Sequence, residues 1–142
     1  MDIGAAIFFT EYSIPPAELA VALEERGFDS LWVAEHSHIP VTRRFTLPGG
    51  MELTKQYYDV MDPFVTLTAA AVVTTRLKLA TAICLLIQRD TIQTAKLVAS
   101  LDQVSGAGSS LASAAAGTPR RWKTTARSTP PASRKCASRS RR

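Results

Sequence analysis

Apolar and polar positions change rhythm several times along the chain, and each change marks an element. Ile3–Phe9 is a short apolar run of the kind that fills a buried strand. Pro15-Pro16 then opens a helix, because a proline in the first turn gives up an amide that has no helical partner anyway. Leu19 and Leu23 share one face of that helix, about Pro15 to Arg26, and Gly27 supplies its C-terminal stop. Asp29–Ala34, read DSLWVA, is a second buried strand. From Glu35 to Met61 the pattern dissolves into a long loop rich in Pro, Gly and His. Asp62 followed by Pro63 starts a helix that is apolar almost all round through Val73. Arg76–Ile87 is the third strand, with Leu77, Leu79, Ile83, Leu85 and Ile87 along it. Asp90 caps a last helix, about Thr91 to Val104, which ends at Ser105-Gly106.

Strands that are apolar on both faces and alternate with helices form a parallel sheet, so the class is α/β. The pattern fits either a doubly wound sheet or the opening units of an eight-stranded β/α barrel. Both architectures place chemistry at the C-terminal ends of the strands. Those ends are Phe9–Glu11, Glu35–His38 and Ala82–Gln88. No G-x-G-x-x-G follows the first strand, which weakens dinucleotide binding, and no phosphate-cradling P-loop is present.

Charge divides the chain in two. Residues 1–104 hold all 12 acidic residues and eight basic ones, whereas residues 105–142 hold no acid and nine basic residues. Leu111 and Trp122 are the only large apolar side chains of that basic stretch. Ordering costs ~1–2 kcal/mol per residue in backbone entropy, which so little apolar area does not offset. The expectation is therefore a partial barrel domain over residues 1–104 and a disordered basic tail over 105–142. The longest apolar runs, Ala69–Val73 and Ala82–Ile87, fall far short of the ~20 residues of a membrane helix. Met1-Asp2 opens without a basic signal region, and Cys84 and Cys136 make no disulfide framework, so a cytoplasmic location is expected.

Candidate chemistry gathers after the second strand, at Glu35, His36 and His38. A histidine at a strand mouth titrates near neutrality and can take or give a proton; its plainer reading is a hydrogen-bonded loop histidine. Metal binding is not expected, because the spacing fits no zinc pattern and alternate residues of an extended chain point apart. Cys84, inside an apolar run, reads as a small buried hydrophobe. Arg89-Asp90 reads as a helix cap and a decorated loop. Arg43-Arg44 reads either as an anion contact or as a solvated pair.

The segments GFDSLWVAEHSHIP (Gly27–Pro40), MDPFVTLTAAAVVTTRLKLATAICLLIQRDT (Met61–Thr91) and TAKLVASLDQVSG (Thr94–Gly106) resemble the luciferase-like monooxygenase superfamily. Their nearest likeness is to its branch that uses the deazaflavin coenzyme F-420. The resemblance implies a (β/α)₈ TIM barrel, here its first three β/α units, and an oxidoreductase or monooxygenase acting on a small molecule. Coenzyme F-420 is the implied cofactor, with FMN as the alternative. By the same resemblance His36 lies beside the reactive ring in proton transfer, and Glu35 occupies an acidic position next to the cofactor. Thr81, Ala82 and Ile83 match a bulge, often with a non-proline cis peptide, that supports one face of the ring.

The likeness stops near Gly106. A one-base shift in the reading of Gly108–Arg127, with suitable codons, yields RFLLGVGGGWNAEEMEDHGT, which looks like the family's missing fourth strand and its glycine-rich turn. A truncated, frameshifted and inactive chain is the resulting expectation. Two other readings stand beside it. The basic tail can bind nucleic acid non-specifically through phosphate contacts. Alternatively, the open sheet edge serves as an interaction module, covered by a second copy or another barrel subunit.

Overall fold

The computed structural model describes residues 1–41 and 52–106, together with the backbone of Ser109–Ser113. Four strands, β1 (Gly4–Ile7), β2 (Ser30–Val33), β3 (Lys78–Cys84) and β4 (Ser109–Ser113), form one sheet in the order β1-β2-β3-β4. All three neighbouring pairs are parallel. Between them run α1 (Pro16–Glu25), the single-turn α2 (Gln56–Asp59), α3 (Pro63–Ala71), a 3-10 turn at Leu86–Gln88 and α4 (Thr91–Val104).

Side-chain alternation along the strands decides between the two architectures. Ala5, Ile7, Leu31, Val33 and Leu79 lie on one face, and with Leu19, Ala20 and Leu23 of α1, Phe64, Leu67, Ala70 and Ala71 of α3 and Leu101 of α4 they make one core. Alternate residues point to opposite faces, so these helices share a single side of the sheet. The other face carries Gly4, Ala6, Ser30, Trp32 and Lys78, exposed or half-buried, and the buried Ala80. Sequential strand order with helices on one side is barrel winding; a doubly wound sheet has helices on both.

Trp32 fixes the form of that inner face. Its indole N–H donates to Ser30 Oγ at 2.9 Å, which lays the ring along β2 toward Gly4 of β1. A Cβ on Gly4 would meet Ser30 Oγ at 2.5 Å and Trp32 Nε1 at 2.9 Å. Gly4→Ala is thus expected to break the indole bond and to cost about 1–3 kcal/mol of overpacking. A lower urea midpoint, and a red-shifted Trp32 emission in a Trp122→Phe background, are the checks.

The helix ends follow the chemistry of their caps. Asp62 Oδ1 accepts from the amides of Phe64 and Val65 at 2.8 and 3.3 Å, starting α3, and Asp90 Oδ1 accepts from Gln93 at 2.8 Å, starting α4. Gly27, at φ +76°, turns the chain out of α1 in a conformation that a Cβ would strain. Near it, Glu24 Oε1 accepts from the backbone amides of Thr75, Arg76 and Leu77 and so ties α1 to the turn before β3. The Arg76 amide, with help from those of Thr75 and Leu77, holds the Glu24 carboxyl below its ordinary value of 4.5. A lowered folded value stabilises the fold above pH 4.5 and gives that stability up as the pH falls through the lowered value. Glu24→Gln is expected to flatten this acid limb, as read from urea midpoints across the acid range.

Three expectations need correction. The reading of three strands is one short, because Ser109–Ser113 pairs with β3. Residues 105–142 are thus not wholly without structure; 107–108 and 114–142 lie outside the described residues. The third strand ends at Cys84 rather than Ile87, since the register slips between Thr81 and Cys84 and the chain then coils into the Leu86–Gln88 turn. Finally, the expected loop after β2 contains α2, while Arg43 and Arg44 lie outside the described residues.

Candidate active site

The C-terminal ends of β1, β2 and β3 are in register, with Ile7 beside Val33 and Val33 beside Thr81. Beyond these last pairs each strand delivers its chemistry to the same rim. From β1 come Phe8, the buried Phe9 and Thr10. Met61 donates its amide to the Phe9 carbonyl at 2.8 Å and draws the end of the long loop over that strand.

His36 sits in an aromatic bracket. Its ring stacks on Phe8, with centroids 6.3 Å apart and planes at 24°, and meets Tyr57 of α2 edge-on at 5.2 Å. Phe8 and Tyr57 touch each other at 4.8 Å, which closes the triangle. The α2 turn is held by Lys55, whose ammonium lies 2.5 Å from Asp59 and 4.2 Å above the Tyr12 ring. The hydrogen bond between them raises Lys55 and lowers Asp59, so both stay charged.

Next to His36 in the chain, Glu35 belongs to a buried ionic network that joins residues far apart in sequence. Glu35, 3% exposed, accepts from the Leu85 amide at 2.7 Å and from Arg89 Nε at 2.6 Å. Arg89 reaches on with Nη2 to Asp62 at 2.7 Å, and its guanidinium lies 4.7 Å from the centre of the Phe64 ring. Burial opposes the Arg89 charge, but the bond to Asp62 and the charge of Glu35 outweigh it and raise its pKa. Arg89 is therefore not loop decoration, as first expected. One signal in the sequence points to it: an acid directly after a buried strand needs a cationic partner.

At the rim of β3, Thr81 is buried, whereas Ala82 and Ile83 are exposed. The Ala82–Ile83 peptide is cis and falls within the register slip, so the bulge and the cis bond that the resemblance implies are both present. Cys84 is fully buried, and desolvation, with the nearby Glu35 charge, pushes its thiol up to about 11. It is the inert small hydrophobe that the sequence indicates.

Ser37 Oγ donates to Gln88 Oε1 at 2.9 Å and lies 3.0 Å from His38 Nδ1. Two buried polar atoms at this end, Thr10 Oγ1 and Gln88 Nε2, make no hydrogen bond among the described residues. Also among the described residues, no three His, Cys, Asp or Glu are grouped to hold a metal ion, and no helix is long and apolar enough to cross a membrane.

The model of the luciferase-like monooxygenases matches residues 16–119. The chain belongs to that family. An uncharacterized protein of Mycobacterium tuberculosis is 41% identical over 108 residues, which are 74% of this chain and 38% of the relative. The luciferase-like chain thus spans about two fifths of the length of the curated relative it matches.

Among the solved structures that share the fold are two enzymes. One is a type II Baeyer-Villiger monooxygenase, the oxygenating constituent of 3,6-diketocamphane monooxygenase of Pseudomonas putida, in complex with FMN. It is 19% identical with a TM-score of 0.64 over 88% of this chain and 32% of its own. The other is the coenzyme F-420-dependent tetrahydromethanopterin reductase of Methanopyrus kandleri, 22% identical with a TM-score of 0.62 over 88% of this chain and 30% of its own.

Proposed function

We propose that this luciferase-like chain carries the histidine-bearing mouth of an oxidoreductase that uses a flavin or deazaflavin, coenzyme F-420 in preference to FMN, on a small-molecule substrate. The observation that carries the reading is the meeting of two features at one rim. His36 follows β2, and the exposed Ala82–Ile83 segment bulges from the end of β3, its register neighbour. The names of the fold neighbours, which speak of FMN and coenzyme F-420, support the cofactor class.

The residues suit a planar amphipathic ring. Ala82 and Ile83 would offer such a ring a small, apolar, accessible surface, and Thr10 Oγ1 and Gln88 Nε2, which make no hydrogen bond among the described residues, would be the polar atoms at hand for its heteroatoms. When bound, such a cofactor supplies the hydride chemistry. The protein does the rest. Phe8 and Tyr57 keep water from the flanks of His36, whose imidazole holds or delivers a proton at the reacting centre. Thr81 is buried where β3 meets the bulge, and Glu35, whose two oxygens already accept from Leu85 and Arg89, would act through that network rather than by touching the ring.

On this reading the 142-residue chain by itself does not turn over, since catalysis needs the cofactor held within tenths of an ångström of its partners. Titration of the purified chain with coenzyme F-420 and FMN, followed by fluorescence quenching, tests both parts. Saturable binding with a Kd on the order of 100 µM, about 5 kcal/mol, supports the reading. Absence of saturable binding refutes the cofactor assignment, and micromolar binding refutes the inactivity. The frameshift reading is tested by the nucleotide sequence across codons 104–110: a shifted frame that contains stops removes it.

A further inference from the structure

The backbone ladder between β2 and β3 ends at the pair Val33 and Thr81, so no strand pairing holds His36 against the bulge. Side chains take over that task. Both neighbours of His36 are bonded to the segment that follows β3: Glu35 to the Leu85 amide and to Arg89 Nε, and Ser37 to Gln88 Oε1. Of these partners, Arg89 alone extends further into the fold. Its second nitrogen bonds Asp62, the residue that caps α3, and its plane rests against the buried Phe64.

We infer that Arg89 is a positioning residue for His36. Through Glu35 it fixes the separation between the imidazole and the Ala82–Ile83 segment, with the Ser37–Gln88 bond as the second arm of the same clamp. The inference rests on the proposed role of His36 and goes beyond it by naming what holds that residue in place. The guanidinium is specific to the task. Its Nε and Nη2 reach two carboxylates on different elements at 2.6 and 2.7 Å, a fork that a single lysine nitrogen does not reproduce. Glu35 has 1% and Arg89 15% side-chain exposure, so little water is at hand to substitute for a lost bond.

The chain has two histidines, which makes the clamp directly observable by NMR. Imidazole spectra of the isotope-labelled 142-residue chain, with His38→Gln for assignment, are recorded for wild type, Arg89→Lys and Ser37→Ala, beside urea unfolding of each. The expected result is that Arg89→Lys keeps a cooperative transition while the His36 cross-peaks move and broaden, with Ser37→Ala causing a smaller change of the same sense. Unaltered His36 cross-peaks in a folded Arg89→Lys, even with a lowered urea midpoint, make the network merely structural and overturn the inference. If Arg89→Lys does not fold, Ser37→Ala decides by the same criterion, because Ser37 is an exposed residue whose loss opens one arm without touching the core. Addition of FMN to wild type separates the two claims. Cross-peaks that ignore FMN count against the cofactor reading, while the clamp stands or falls on the variants.

Discussion

Phe64→Ala is expected to lower the stability of the chain by about 3–5 kcal/mol, enough to abolish cooperative unfolding in a fold of this size. The side chain is 4% exposed in the first turn of α3, where it packs into the core shared by α1, the sheet and α4. Truncation removes a large apolar group from a close-packed site, and a rigid surround relaxes only partly into the space. Here a second loss follows. The ring is also the surface on which the Arg89 guanidinium lies, so its removal lets water reach the Glu35–Arg89–Asp62 network. Urea unfolding by circular dichroism reads the first effect. Phe64→Leu, which restores most of the volume but not the aromatic face, separates it from the second.

Glu35→Ala carries the other large expected loss, again about 3–5 kcal/mol, for the opposite physical reason. No sizeable cavity is needed. The variant leaves Arg89 with its exposed partner Asp62 alone and strips the Leu85 amide of its acceptor, and a buried donor without an acceptor forfeits its hydration. Glu35→Gln keeps an acceptor of the same shape and is expected to recover part of the loss. The recovered part, measured by the urea midpoint, is the share of the one hydrogen bond that the amide oxygen keeps; what stays lost combines the charge with the second bond, because the amide NH2 cannot accept from the other donor.

The elements that sequence revealed are those whose cause is local. Asp62-Pro63, Asp90 and Gly27 each act within one helical turn, and each is found doing so. The position of His36 at the strand end is legible because following a buried strand is itself a local fact. The strand end at Cys84 was hidden, because Leu85 and Ile87 continue the apolar alternation beyond the register slip. Strand β4 was hidden for a different reason. Ser-Ser-Leu-Ala-Ser has little to bury, and its pairing is a backbone property of the open edge of β3, which accepts an extended segment whatever its side chains. Arg89 was missed because its partners stand 54 and 27 positions away.

The helices are unequally invested in the fold. In α3 six of nine residues are buried, yet the 14-residue α4 buries only Thr94 and Leu101, with Ile92 83% exposed. Cohesion therefore differs between these two helices: α3 opens only with the core it belongs to, while α4 detaches at a smaller free-energy cost. Amide protons of α4 are expected to trade with solvent before those of α3, and a protease to cut within α4 before α3.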